Sequence, residues 1–235
     1  MEIKNILSET LKVSDNISEL SINNCPNLKS LTLNSNIKTL QVNNCNKLQV
    51  ISNAENITSL TVNSCYYAYD IIKSCNNINS LTLNKCDNIL TLPDNLDSLI
   101  NLELSFCSSF KNIPDTLINV KSLKVIHCMS FRNIPVSLIN LENLNIHNGR
   151  MWMIKIPDNL INVKVLTLDN YNNVYNIIKN MINLKKLNLS YCEDIETIPE
   201  ELTKLVKLNV NNSDIKVVPK YIKEVYVKNC KYIKG

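Results

Sequence analysis

Glycine is almost missing from this chain, with two residues among 235. A protein full of tight turns normally needs several, because only glycine enters the left-handed backbone region without steric cost. Long apolar runs are missing too: none approaches the roughly 20 residues that cross a bilayer, so no membrane span is expected. The start, "MEIKNILSETLKV", lacks a basic segment, a long apolar core and a small-residue cleavage site, which leaves no expected secretory leader. No Cys-x-x-Cys pair occurs among the nine cysteines, and that removes the usual zinc spacing. A cytoplasmic, intracellular chain with no membrane partner is the expectation.

What replaces glycine is asparagine, the commonest residue with 40 copies. Asparagine tolerates the left-handed region better than most residues and favours turns. Composition is otherwise globular, with 45% hydrophobic and 20% charged residues. The net charge of +4 is unevenly placed: the chain from Lys204 onward carries +6, so the remainder is −2.

A unit of about 21 residues recurs. "LELSFCSSFKNIPDTLINV" from Leu102 is followed by "LKVIHCMSFRNIPVSLINL" from Leu123. Leading aliphatics fall at Leu20, Leu40, Leu60, Leu81, Leu102, Leu123, Leu144, Leu166, Leu187, Leu208 and Val225. Each opens an aliphatic–x–aliphatic pair, read as a short strand with one buried face. Leu28, Leu31 and Ile37 align with Leu48, Ile51 and Ile57, so Leu31 belongs to the far side of its coil and not to a new repeat. Pro93, Pro114, Pro135, Pro157, Pro199 and Pro219 follow in the return and cannot continue a ladder. One such repeat cannot bury its own apolar face, but stacked repeats share a core and a parallel sheet. Residues 1–19 are expected to be an N-terminal cap, with Ile3, Leu7 and Leu11 at helical spacing. Residues 20–224 form the array, and residues 225–235 a capping strand and tail, all in one continuous domain.

This pattern resembles the leucine-rich repeat, whose consensus is LxxLxLxxN/C, over residues 17 to 230. The cysteine at the ladder position with "LP" or "IP" six residues later is similar to the repeats of plant disease-resistance receptors, and to leucine-rich proteins of Asn-rich genomes such as those of large insect DNA viruses and protists. The resemblance implies an α/β-type solenoid: a horseshoe with one parallel β-sheet of about eleven short strands and irregular or 3-10 convex returns. It also implies binding on the concave face of the sheet.

Eight cysteines sit five residues after a leading aliphatic, so they form a column of structural thiols; Cys75 aligns with core leucines. Neither a metal nor a cofactor is expected. His127, His147 and Asp169 fall on successive repeats. A histidine–aspartate pair invites a catalytic reading, but no nucleophile with a fixed base and oxyanion site is visible, so no enzyme is expected. Residues one, three and four after the leading aliphatic look outward. In the first repeats they are small and polar. Later they become Phe106, Ile126, His127, His147, Asp169 and Tyr191, the candidate contacts with a partner. The repeat from Leu144 carries an insertion, "HNGRMWMIKIP", whose Arg150 and Trp152 are further candidates; Trp152 aligns with the core residues Phe110 and Phe131 or is pushed outward as a ridge. The basic, tyrosine-bearing tail fits edge protection better than nucleic-acid contact. The expected function is a monomeric protein–protein interaction module whose partner is another protein. The alternative is a substrate-recognition subunit or fragment of a ubiquitin-ligase system.

Overall fold

The computed structural model describes residues 1–14, 16–147 and 154–230. They fall into two compact units: residues 1–120 with 128–131, and residues 121–127 with the rest of the chain from 132.

The first unit holds nine strands and a helix. They are β1 (Glu2–Lys4), β2 (Thr10–Lys12), β3 (Glu19–Asn23), β4 (Ser30–Thr32), β5 (Thr39–Asn43), β6 (Val50–Ser52), β7 (Ser59–Asn63), α1 (Ala68–Lys73), β8 (Ser80–Asn84) and β9 (Asn101–Ser105). The second holds β10 (Ser122–Ile126), β11 (Asn143–His147), β12 (Val165–Asp169), α2 (Val174–Ile178), β13 (Lys186–Asn188), β14 (Lys207–Asn209) and β15 (Glu224–Tyr226). All eleven expected leading aliphatics lie on strands.

Each unit is a solenoid of parallel strands. Leucine pairs with leucine: Leu20, Leu40, Leu60, Leu81 and Leu102 are in register in the first unit. Leu123, Leu144, Leu166, Leu187 and Leu208 are in register in the second. Because side chains alternate across a strand, the first and third residues of each repeat point inward together. Leu40, Val42, Leu166 and Leu168 are completely buried.

The leader is not helical. Ile3 lies on β1 and pairs with Ile22, Leu11 lies on β2 and pairs with Leu31, and Leu7 is exposed. The spacing that looked helical is that of one further coil, whose strand residues repeat at the solenoid's period.

Some returns differ from the expected irregular and 3-10 segments, and proline explains which. The two earliest repeats have no proline at that position, and there β2, β4 and β6 make a second parallel sheet of three strands, with Leu31 facing Ile51. The repeats from Leu60 and Leu166 also lack it, and their returns become α1 and α2, which bury Ile71 and Ile72 or Val174 and Ile178. Where proline is present it has no N–H for a ladder. Ladder pairing then shrinks to isolated bridges such as Thr91–Asn112 and Thr197–Val217. The chain turns instead with single i→i+3 bonds, as from the N–H of Leu117 to the Pro114 carbonyl at 3.2 Å.

Asparagine takes the place of glycine as expected. Among the described residues thirteen non-glycine positions have positive φ and eight of them are asparagine, so these left-handed turns are mostly built by this one residue. Asparagine side chains also stitch coils together. Asn162 Nδ2 donates to the Ile139 carbonyl and Asn183 Nδ2 to that of Ile161, each at 2.9 Å. On the outward face of the first unit, Asn43 Nδ2 donates to Asn23 Oδ1, and Asn63 Nδ2 to Asn43 Oδ1.

The cysteine column is inward and reduced. Cys25, Cys45, Cys65, Cys75, Cys86, Cys107, Cys128 and Cys192 are buried free thiols, and Cys230 is half-buried. Each thiol whose bonds are resolved donates to backbone. Cys65 Sγ, for instance, reaches the Asn63 carbonyl at 3.3 Å and the Val42 carbonyl one coil back at 3.7 Å. Tyr171 occupies the cysteine position of its repeat and is buried there. Burial pushes the thiols of Cys45, Cys65 and Cys75 up to about 12 from 9.0. The thiolate is therefore the form the fold disfavours. The sign follows: a folded-state value above the unfolded one gives stability that is complete below pH 9 and lost as pH rises toward 12. Unfolding midpoints should fall across that window, and fall less when Cys45 and Cys65 are replaced by alanine. Under native conditions at neutral pH, thiol labelling should be fast only at Cys230. Rapid labelling of six or more thiols before denaturant is added would mean the column is not buried.

Candidate functional site

At the end of each strand that opens a repeat the chain must turn inward to place the residue five after the leading aliphatic in the core. Among the described residues, the one four after the leading aliphatic makes that turn in the left-handed region. Its N–H still bonds to the next coil, as from His127 to the His147 carbonyl at 2.9 Å and from Tyr191 to the Asn211 carbonyl at 3.0 Å. Its side chain is thrown to the rim of the sheet. At Asn24, Asn44, Asn170, Asn212 and Asn229 this costs little. His127, with φ of 49°, is of a type also enriched there; at Phe106 and Tyr191, with φ of 55° and 61°, an aromatic side chain sits where it is disfavoured, at a cost of order 1 kcal/mol or more.

In the second unit three neighbouring strands end on candidate residues in one column. Ile126, His147 and Asp169 are paired in register across β10, β11 and β12. His147 Nε2 lies 2.9 Å from Asp169 Oδ2, with the imidazole 48% and the carboxylate 22% exposed. The His127 ring stands edge-on to that of His147, centroids 6.3 Å apart. The aspartate thus fixes one histidine and the second histidine packs against it. Tyr191 stands at the rim of a later coil, half exposed, beside a small cavity of about 120 Å³ that it lines with Asn170, Asn172 and Glu193. Phe106, 46% exposed, holds the corresponding rim position in the first unit. Arg150 and Trp152 lie outside the described residues; Phe110 and Phe131, with which Trp152 aligns in sequence, are fully buried, with rings 5.8 Å apart.

A face of this kind can form contacts. The histidine–aspartate pair is open to solvent, and exposed pairs contribute only about 0–1 kcal/mol. Among the described residues no group of three His, Cys, Asp or Glu side chains is placed to hold a metal ion. No described helix is long and apolar enough to cross a membrane. At the basic end, Lys207 Nζ is 3.2 Å from a Glu224 carboxylate oxygen and 5.1 Å from the centre of the Tyr226 ring, so lysine and tyrosine there engage each other.

Two features escaped the sequence reading. The left-handed exit was hidden because Phe and Tyr carry no signal of positive φ; only alignment with the asparagines of other repeats would have exposed it. Surface grooves were hidden as well, such as one lined by Lys47, Tyr66, Tyr67 and Lys85 in the first unit, because they depend on how neighbouring coils differ.

No family model matches the chain, and no curated protein matches it. Solved structures do resemble it. A chain of the Drosophila Toll–Spatzle complex is 14% identical with a TM-score of 0.54, over 92% of this chain and 41% of that one. An internalin from Listeria monocytogenes is 13% identical with a TM-score of 0.47, over 89% and 74%. A leucine-rich-repeat protein of Leptospira interrogans is 17% identical with a TM-score of 0.38, over 86% and 78%. This chain therefore spans about two fifths of the length of the Toll-complex chain. With the repeat consensus and the register described above, it has the leucine-rich-repeat fold: a solenoid with many short parallel strands.

The rim residues generate a stability test. Phe106→Asn and Tyr191→Asn should each raise the unfolding free energy, by about 1 kcal/mol, because asparagine tolerates the left-handed turn. Chemical denaturation would read this directly. A loss of stability in both variants would show that the aromatic rings are structural.

Proposed function

We propose that the chain is a non-enzymatic, monomeric module that binds another protein through the outward face of its sheet. In the second unit Ile126, His127, His147, Asp169 and Tyr191 make the contacts; Phe106 offers the same kind of contact in the first unit. One observation carries this reading: bulky side chains stand at left-handed rim positions that asparagine fills elsewhere in the same chain. Residues held at a cost to the fold cluster at functional sites. The half-exposed rings of Phe106 and Tyr191 belong to the aromatic class enriched where interface energy concentrates. The Toll chain, captured with Spatzle, is consistent with a protein partner for a solenoid of this fold. The intramolecular pairing at Lys207 favours a protein partner over a nucleic acid.

The partner would be captured from cells with the full chain as bait. A single stoichiometric protein is the expected result, and recovery of cullin-ligase components would instead favour the substrate-recognition reading. Binding of that partner to an Ile126→Ser/Tyr191→Asn variant should then be weaker by roughly 1–4 kcal/mol, with the fold retained. Unchanged affinity would remove the sheet face as the site and move attention to the insertion around Arg150 and Trp152.

A further inference from the structure

The repeat shortens sharply once. Val225 follows Leu208 by 17 residues, where the two preceding steps take 21 each. The strand cannot give up residues without losing its register, so the loss falls on the return. Two coils earlier the return is built up by α2 instead. Alongside these unlike returns, within the second unit, lies a groove of about 630 Å³.

Its lining is selective. Tyr175 from α2 and Tyr221 from the short return contribute two rings, each a little over 40% exposed. Buried Ile198 and exposed Val217 add apolar surface. Glu200 and Glu201 supply the charge, and among the described residues no lysine lines the groove. That is unexpected in a stretch carrying eight lysines from position 204 onward. Two of these are engaged elsewhere: Lys216 Nζ lies 2.6 Å from a Glu196 oxygen, and Lys204 Nζ donates to Asn183 Oδ1 at 2.6 Å. The Tyr221 hydroxyl is pushed above its ordinary value by burial first and by the charges of Glu200 and Glu201 second, and both carboxylates line the groove with it.

Aromatic faces attract cations, and the attraction grows as the cation loses water. Carboxylates add charge-assisted hydrogen bonds to a donor. Apolar walls suit a methylene stem that carries a charge at its tip. We propose that this groove receives a lysine side chain presented by a partner polypeptide, on a surface separate from the sheet face. An ammonium suits it better than a quaternary amine, since an ammonium donates three hydrogen bonds to the two carboxylates and a quaternary amine donates none.

The test is a titration of the isotope-labelled full chain with N-acetyl-Gly-Lys-Gly-amide, followed by amide chemical shifts. Shifts should concentrate at Tyr175, residues 197–201 and residues 217–221, and the norleucine analogue should produce none. Glu200→Gln/Glu201→Gln should weaken binding roughly tenfold, about 1.4 kcal/mol, while Tyr191→Asn on the sheet rim should leave it unchanged. Equal response to the norleucine peptide would overturn the proposal, and so would full affinity in the glutamine variant. Tighter binding of a trimethyllysine peptide would overturn the assignment to an ammonium.

Discussion

The parallel backbone ladder is the constraint from which the rest follows. Within each unit a strand bonds only to the strands about 21 residues before and after it, so every position of the repeat stacks on its own equivalent, about 4.8 Å away. A residue type that works at one position works at every copy of it. That is why leucine, cysteine and asparagine recur in columns. It is also why stability is shared: a repeat has no core of its own, and its apolar face is covered by its neighbours.

The inward turn at the end of each strand is the second consequence. To keep its N–H in the ladder and still bring the next residue into the core, the chain needs a left-handed residue at the fourth position after the leading aliphatic. The thiol that follows satisfies carbonyls of its own strand and of the coil behind it, so a weak donor is enough to close the turn. Asparagine at the fourth position is nearly free of strain, and its amide can bond to the next asparagine in the column, as Asn44 does to Asn24 at 2.8 Å. Replacing it with Phe106 or Tyr191 gives up both benefits. Such exchanges place large side chains at a rim whose backbone is already fixed by the ladder, and that rigidity is what a contact surface requires.

The returns obey a looser rule. Proline removes the ladder donor, and where it is absent the return pairs into a second sheet or coils into a helix. Because returns vary in length and form while strands do not, depressions arise where unlike returns meet, as beside α2. The sheet face therefore presents regular columns, and the return side presents individual sites. A solenoid can use both without altering its core.

The repeat period, the strand starts, the buried thiols and the outward column through Ile126, His147 and Asp169 were legible in the sequence. They depend on spacing alone, and the ladder converts spacing into position. The same logic places Phe110, Phe131 and Cys75 in the core. Three things needed the tertiary structure. Ile3, Leu7 and Leu11 read as a helix because a spacing of four is compatible with one; pairing with Ile22 and Leu31 decided that they belong to a coil. Phe106 and Tyr191 gave no sign of left-handed geometry, since their own preferences oppose it and only the ladder imposes it. The contact of His147 with Asp169, and the meeting of Tyr175 and Tyr221 with Glu200 and Glu201 across different coils, depend on side-chain directions and on the size of neighbouring returns. Period fixes which residues share a column, but it does not fix which side chains from different columns come together.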